Sequence, residues 1–412
     1  MSLSLSPRNS IKRIMEKPQK EKLEEMGEDL INDGGEDNPC SAGCEVIADQ
    51  SPEKYARIPK HVKCIEDVVK DHALQFLPAK SLYRFKTVSK EWNKWIKNPF
   101  FAHSQTNHFK DVSGLFLQFP DGRPSFISLD PTSFGIPSDS LSFLPEQAID
   151  IRSTCNGLLC CQSRHGNESY YICNPVTKNW RRLPNPNFYH PPGTAVALAF
   201  EPSVYNFTAN YELICVVPLP ESPVLHFEIY SSRSNSWRIS ETVCCVLDAL
   251  ALNNDGFYMR GVAYWETQSG AVLAFNVKYE YFGILNLPPC SGPTGALTEM
   301  HGNLCYIMSR KQEEDDNYII EVYGDMNMSL KHVIPISPQV AASNTAPMCR
   351  AVCFVNDDTL ILDLDGKIIA YHATKNQAKC LRNGMNKGFG KFLPYVNSLV
   401  SVRHSALSKY SG

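Results

Sequence analysis

The chain has no run approaching the roughly 18 uninterrupted apolar residues that a membrane-spanning helix requires. Its start also lacks the charged opening, apolar middle and small-residue cleavage site of a secretory signal. Charge of one sign is missing too. Forty lysines and arginines nearly balance 43 aspartates and glutamates, for a net charge of -3. That balance gives no global attraction to nucleic acid or to an anionic membrane surface. Cysteine is plentiful at 15, but the count is odd and no framework of regular spacings organises it; Cys160-Cys161 and Cys244-Cys245 are simply neighbours. Without an export signal these residues read as reduced thiols, so the expectation is a cytoplasmic or nuclear protein, not a secreted disulfide scaffold.

Catalytic signatures are equally scarce. There is no Gly-x-x-x-x-Gly-Lys-Ser/Thr phosphate loop, no Gly-x-Ser-x-Gly elbow and no His-Glu-x-x-His pair. Cys40-x-x-x-Cys44 and Cys349-x-x-x-Cys353 resemble half a zinc site, yet neither has a His/Cys pair at ligand spacing nearby. Cys349 and Cys353 read better as small buried hydrophobes flanking a strand over 351–355. The eleven histidines are dispersed, and no cysteine stands out as a reactive thiol. The expectation is a non-catalytic chain with no cofactor and no metal.

What is present is the composition of a folded protein: 43% hydrophobic, 10% aromatic and 20% charged. A length of 412 residues predicts two or three domains of roughly 150 residues. Residues 1–60 differ from the rest. They are rich in Ser, Lys, Glu and Gly, and have too few bulky apolar residues to offset the entropy of ordering, so they read as a flexible tail. Glu16–Leu30 has the composition of a transient helix. Between 64 and 110 the apolar residues recur at helical spacing: Val68, Val69, Ala73, Phe76 and Leu77, then Leu82, Phe85 and Val88, then Trp92, Trp95 and Ile96. Pro78 ends the first of three short helices, and Ser81 and Ser89 stand where helix caps belong. This segment holds eight basic residues against four acids, a local excess of +4 in an acidic chain.

From 112 to 405 the pattern becomes alternating. Short segments such as 114–119, 170–173, 211–217, 226–230, 272–277, 303–308, 319–323, 359–364 and 368–372 are rich in β-branched and aromatic residues and bounded by turns. Several share a strand–turn–strand unit. It is clearest at Tyr171-Ile-Cys-Asn-Pro-Val-Thr-Lys-Asn-Trp180 and Phe227-Glu-Ile-Tyr-Ser-Ser-Arg-Ser-Asn-Ser-Trp237. The aligned positions 180, 237, 282, 330 and 378 recur about every 50 residues, the period of a four-stranded propeller blade. Radial stacking buries both faces of sheets too small to fold alone. The reading is therefore α+β and multidomain: three N-terminal helices, then an all-β propeller of about six blades. A β-sandwich is the alternative. Trp180 and Trp237 read as core residues between blades.

Leu77-Pro-Ala-Lys-Ser-Leu-Tyr-Arg-Phe-Lys-Thr-Val-Ser-Lys-Glu-Trp92, followed by Asn98-Pro-Phe-Phe-Ala-His103, resembles the F-box of plant F-box proteins. Ser153-Thr-Cys-Asn-Gly-Leu-Leu-Cys160, Asn174-Pro-Val-Thr177 and Trp180-Arg-Arg-Leu-Pro184 resemble the F-box-associated, kelch-like propeller domain that follows it in that family. The resemblance implies a substrate receptor of an SCF-type cullin–RING ubiquitin ligase. In such a complex the F-box would dock on a Skp-type adaptor and through it the cullin, and the propeller would bind a target protein. The implied adaptor contacts are Ile65, Val68, Leu74, Leu77, Pro78, Leu82, Val88 and Trp92. Apolar helical faces of this kind seat in a groove on a helical partner, with large residues as hot spots. Ile65-Glu66 departs from the usual Leu-Pro opening of the motif, which puts adaptor affinity in question. Target contacts are not coded, although Phe188, Tyr189 and His190 in the 185–193 loop are candidates. A free-standing propeller scaffold or lectin-like module, with the helices as a cap, is the alternative reading.

Overall fold

In the computed structural model the described residues are 65–402, without 121, 137–140, 165–168, 192, 219–223, 246–251, 290–294, 313–316, 337–347, 384–389 and the side chains of Glu66 and Asp71. The tail over 1–60, its Glu16–Leu30 helix, the Cys40/Cys44 pair and positions 403–405 lie outside that range.

Four α-helices open the described chain: α1 (Ile65–His72), α2 (Ala79–Phe85), α3 (Lys90–Ile96) and α4 (Pro99–His108), with a 3₁₀ turn at Leu74–Phe76. Leu77 is extended, as a residue before proline must be, and Pro78 caps α2. Ser81 therefore lies inside α2 and not at its cap. Ser89 does cap α3, its hydroxyl accepting from the Trp92 amide at 3.1 Å. The fourth helix, α4, was legible only as the tail of the sequence motif; Asn98 caps it and Pro99 starts it.

The remainder is a six-bladed ring. One blade is β3 (Ile149–Cys155), β4 (Leu158–Ser163), β5 (Tyr170–Asn174) and β6 (Asn179–Arg182). The next is β7 (Ala195–Ala199), β8 (Glu212–Pro218), β9 (Leu225–Ser231) and β10 (Ser236–Cys244). A third contains β11 (Phe257–Met259), β12 (Val262–Glu266), β13 (Ala271–Asn276) and β14 (Tyr281–Asn286). Then follow β15 (Gly295–Met300), β16 (Asn303–Lys311), β17 (Tyr318–Gly324) and β18 (Ser329–Pro335), and β19 (Cys349–Val355), β20 (Thr359–Leu364), β21 (Lys367–His372) and β22 (Gln377–Arg382). The sixth sheet joins both ends of the domain. Strand β23 (Lys391–Val396) pairs antiparallel with β1 (Val112–Gln118), which pairs with β2 (Ser125–Ser128). Strands β3, β7, β11, β15, β19 and β23 neighbour one another in that order and close the circle.

Burial follows position in the blade. Strands β4 and β13 are buried along their whole length, whereas β18 and β22 are almost wholly exposed. The five aligned repeat positions all prove to be the second residue of a blade's outermost strand. The residue just before that strand has positive φ in all five blades: Lys178, Asn235, Glu280, Met328 and Asn376. The repeat is thus a hairpin geometry, a loop closed by one left-handed residue. Trp237 is core as expected, its indole donating to the Pro184 carbonyl at 2.7 Å. Trp180 is not: it is 38% exposed on the outer strand β6.

The Asn-Gly-Leu-Leu and Asn-Pro-Val-Thr pieces close the ring. Asn156-Gly157 is a two-residue turn with both φ positive, at +44° and +92°. A Cβ on Gly157 would sit 2.1 Å from Ser398 Oγ, so the segment after β23 passes directly over it. Asn174 is fully buried and donates to the Ser398 and Val400 carbonyls at 3.0 and 2.8 Å. Its oxygen accepts from the Val176 amide and the Tyr395 hydroxyl.

Candidate functional site

The helices sit where the innermost strand β23 ends. Leu74, Ala79, Leu82, Ile96 and Phe101 share one apolar cluster with Phe116, Tyr395 and Leu399 of the ring. Polar groups lock the join. The Ala79 amide donates to the Asn397 carbonyl, and buried Gln105 donates to the Leu77 and Asn397 carbonyls at 3.1 and 3.4 Å. Its oxygen accepts from the Leu399 amide at 2.8 Å. Lys80 reaches the Pro131 and Phe134 carbonyls at 2.6 and 3.1 Å.

This join divides the eight candidate adaptor contacts. Leu74, Pro78 and Leu82 are buried against the propeller and present no surface. Leu77 and Trp92 are partly buried at the edge of the same cluster. Ile65, Val68 and Val88 are exposed, Ile65 by 84%. The expectation that the helices leave Leu77, Pro78, Leu82, Val88 and Trp92 to a partner is corrected on this point. The ring absorbs the inward half of that surface. Sequence reasoning also missed three exposed rings of the cap, Phe76, Tyr83 and Phe100. Phe76 belongs to the helical apolar pattern, and that pattern alone does not distinguish an outward from an inward face.

Around the exposed apolar residues stands a cationic surface. Lys90, Lys94 and Lys97 lie on one stripe of α3 and just past its end, at the spacing that places side chains on a common helix face. Arg84 and Lys86 flank the end of α2. The Lys86 ammonium lies 3.7 Å from the centre of the Tyr83 ring. Partial burial lowers its pKa from the ordinary lysine value, and the like charge of Lys97 lowers it further. Among the described residues none of these five cations forms an ion pair, whereas Lys70 pairs with Glu91 at 3.0 Å.

The 185–193 loop, offered as a target contact, is held from below. Glu228 has no exposed surface and accepts from the Asn187 amide (2.6 Å) and side chain (2.9 Å), the Phe188 amide (3.1 Å) and His190 Nε2 (2.9 Å). Burial alone would raise the Glu228 carboxyl, but the bonds from His190, Asn187 and Phe188 outweigh it and hold the pKa below the ordinary value. His190 is buried and braces the loop, so it presents no surface to a target; Phe188 is half-buried, and only Tyr189 projects, at 74% exposure.

A cavity of about 1060 Å³ follows the ring axis between the inner strands. Three of its charges, Lys391, Glu266 and Arg350, are committed to those strands. Lys391 pairs with Asp255 and donates to the Ile151 and Arg152 carbonyls at 2.8 and 3.2 Å. Burial lowers the Lys391 ammonium against the pull of Asp255. Glu266 is raised by burial while accepting from the Leu297 amide at 2.8 Å. Arg350 donates to the Gly390 carbonyl and lies over the Phe392 ring. Each charge ties neighbouring blades together. Cys349 and Cys353 are buried as expected, and burial pushes both thiols up to about 12.

Comparison with known families agrees with this division of the chain. The model of the F-box domain matches residues 65–103, and that of the F-box associated beta propeller domain matches residues 128–402. Among curated proteins, F-box protein At5g07610 of Arabidopsis thaliana is 30% identical over 309 residues, covering 68% of this chain and 72% of the relative. F-box protein At5g49610 of the same plant is 30% identical over 52% of this chain and 61% of its own length. The putative F-box/kelch-repeat protein At1g12870, also from Arabidopsis thaliana, is 24% identical over 62% of this chain and 66% of its own.

Proposed function

This chain belongs to the F-box proteins that carry an F-box-associated β-propeller, and from that premise we propose that it is the substrate-recognition subunit of an SCF-type cullin–RING ubiquitin ligase. The observation that carries the reading is the two-sided helical cap. Its inward face is fixed to the ring by Leu82, Phe101 and Gln105, while Ile65, Val68, Phe76 and Val88 remain outward. A helical adaptor docks on that outward face, and the ring, on the far side of a hydrogen-bonded join, carries a target protein. In this reading the chain is a non-catalytic subunit. Ubiquitin transfer belongs to partner subunits, and this chain's contribution is to hold a target at a fixed position relative to them. The nine buried free thiols among the described residues suit a reducing compartment, cytoplasm or nucleus.

The test is co-purification of the full chain with a Skp-type adaptor, beside an Ile65→Asp/Val88→Asp variant. Both residues are exposed, so the variant should keep its melting temperature within a few degrees. Stable adaptor binding by the native chain, weakened at least tenfold in the folded variant, supports the assignment. If the native chain does not bind, the alternative stands: a free propeller module whose helices are only a cap.

A further inference from the structure

The cationic surface of α2 and α3 has a complement within the same chain. Between Lys22 and Lys54 the sequence carries ten carboxylates and no lysine or arginine, with clusters at Glu24-Glu25, Glu28-Asp29 and Glu36-Asp37. Residues 54–64, eleven in number, join this segment to Ile65 at the start of α1. Fully extended, that connection spans on the order of 35–40 Å, several times the roughly 10–12 Å length of a seven- or eight-residue helix. The acidic segment therefore reaches any part of the helical cap.

We propose that residues 24–53 dock on the outward face formed by Tyr83, Lys86, Val88, Lys90, Lys94 and Lys97, and so cover a surface that the adaptor needs. Three observations converge on this occupant. The five cations there, Arg84 included, have no ionic partner among the described residues. Lys86 and Lys97 lie close enough to oppose each other's charge, a cost that an anion between them relieves. The acidic segment also supplies apolar side chains, Met26, Leu30 and Ile31, next to its carboxylates, matching the exposed Tyr83 and Val88 between the cations. The contact is intramolecular, so its effective concentration is in the millimolar range, which makes weak exposed ion pairs sufficient. The regulatory part of this proposal rests on the adaptor reading above; the contact itself does not.

The experiment uses the full chain and a zero-length carbodiimide reagent, which joins a carboxylate to a lysine only when the two are in contact. At low salt the monomer should yield amide links from residues 24–37 to Lys86, Lys90, Lys94 or Lys97, and these should vanish in 0.5 M salt, where screening is over a few Å. Absence of such links, links only to propeller lysines, or links only in cross-linked dimers would overturn the proposal. A second chain, Glu24→Gln/Glu25→Gln/Glu28→Gln/Asp29→Asn, should bind the adaptor more tightly. If the segment covers the face nine-tenths of the time, the gain is about tenfold. Equal adaptor affinity of the two chains overturns the gating role. Failure of both chains to bind any adaptor removes the ligase assignment, while the cross-links still decide the contact.

Discussion

Asn174 offers the sharpest test of how the ring is closed. It lies at the end of β5, has no exposed surface, and satisfies four partners: two carbonyls of the 398–400 segment, the Val176 amide and the Tyr395 hydroxyl. Asn174→Asp keeps the shape and both acceptor bonds but replaces the donating amide with an oxygen facing the Ser398 and Val400 carbonyls. Two lost hydrogen bonds cost about 1 kcal/mol each, and two buried carbonyls left facing an acceptor add about 1–3 kcal/mol in total. The expected loss is therefore about 3–5 kcal/mol at pH 7, a large part of a domain's stability. The pH dependence has a definite sign. Burial and the carbonyl oxygens raise the substituted carboxyl's folded pKa above the unfolded value of about 3.9. The penalty is smallest below pH ~4, where both states are protonated, and grows as pH rises toward the folded pKa. Urea denaturation of native chain and variant from pH 3.5 to 7.5 measures this difference directly. A loss under 1 kcal/mol at pH 7, or a difference that shrinks as pH rises, would refute the role assigned to Asn174.

Other expected outcomes follow from single features. Gly157→Ala, which forces a side chain into a left-handed turn 2.1 Å from Ser398 Oγ, should cost about 2 kcal/mol or more and speed amide exchange in β23. Glu228→Gln should cost about 1–3 kcal/mol by weakening charge-assisted bonds to Asn187, Phe188 and His190. Since the Glu228 pKa is lowered on folding, its contribution is present above the unfolded value of about 4.3 and lost as pH falls through the folded pKa; the variant should lack that acid limb in a stability–pH profile. Among the eleven described cysteines, native labelling with a maleimide should modify Cys245 and Cys380, which are exposed. Cys349 and Cys353, raised to about 12, should label only on unfolding, and rapid native modification of either would contradict their burial.

The strands that sequence made legible are mostly those in mid-blade. Positions 170–173, 226–230, 272–277 and 319–323 fall on β5, β9, β13 and β17, third strands with bulky residues packed on both sides. The inner strands were harder to see, for a physical reason. Strand β7, Ala195-Val-Ala-Leu-Ala199, lies near the axis where six strands converge, so it carries small residues and is buried on both faces, without alternation. Strand β15 is mostly half-buried, and its one buried residue is the polar Thr298, so it carries no apolar run to read. The repeat was visible because each outer hairpin returns the chain at the same place. Its determinant, one left-handed residue, is Lys, Asn, Glu, Met and Asn in turn, and so leaves no single residue type to find. His190 was misplaced among surface candidates because the carboxylate that buries it, Glu228, comes 38 residues later on another strand.

The helical cap shows why hydrophobic periodicity identifies a face and not its partner. Helix α2 has seven residues, of which Ala79 and Leu82 are buried while Tyr83 and Arg84 face outward. Leu82 and Val88 both match apolar positions of the F-box pattern, yet one has no exposed surface and the other is 62% exposed. The difference is made by Asn397 and Leu399, more than 300 residues downstream, which reach the cap only once β23 has closed the ring. Closure of the propeller and seating of the F-box are therefore one event. A variant that opens the ring at Asn174 or Gly157 should loosen α2 and α4 as well, raising amide exchange at Ala79 and at Leu399, whose N–H groups bond to Asn397 and Gln105 across the join. A propeller that loses closure while the helices keep full protection would separate the two events and leave the cap as an independently folding unit.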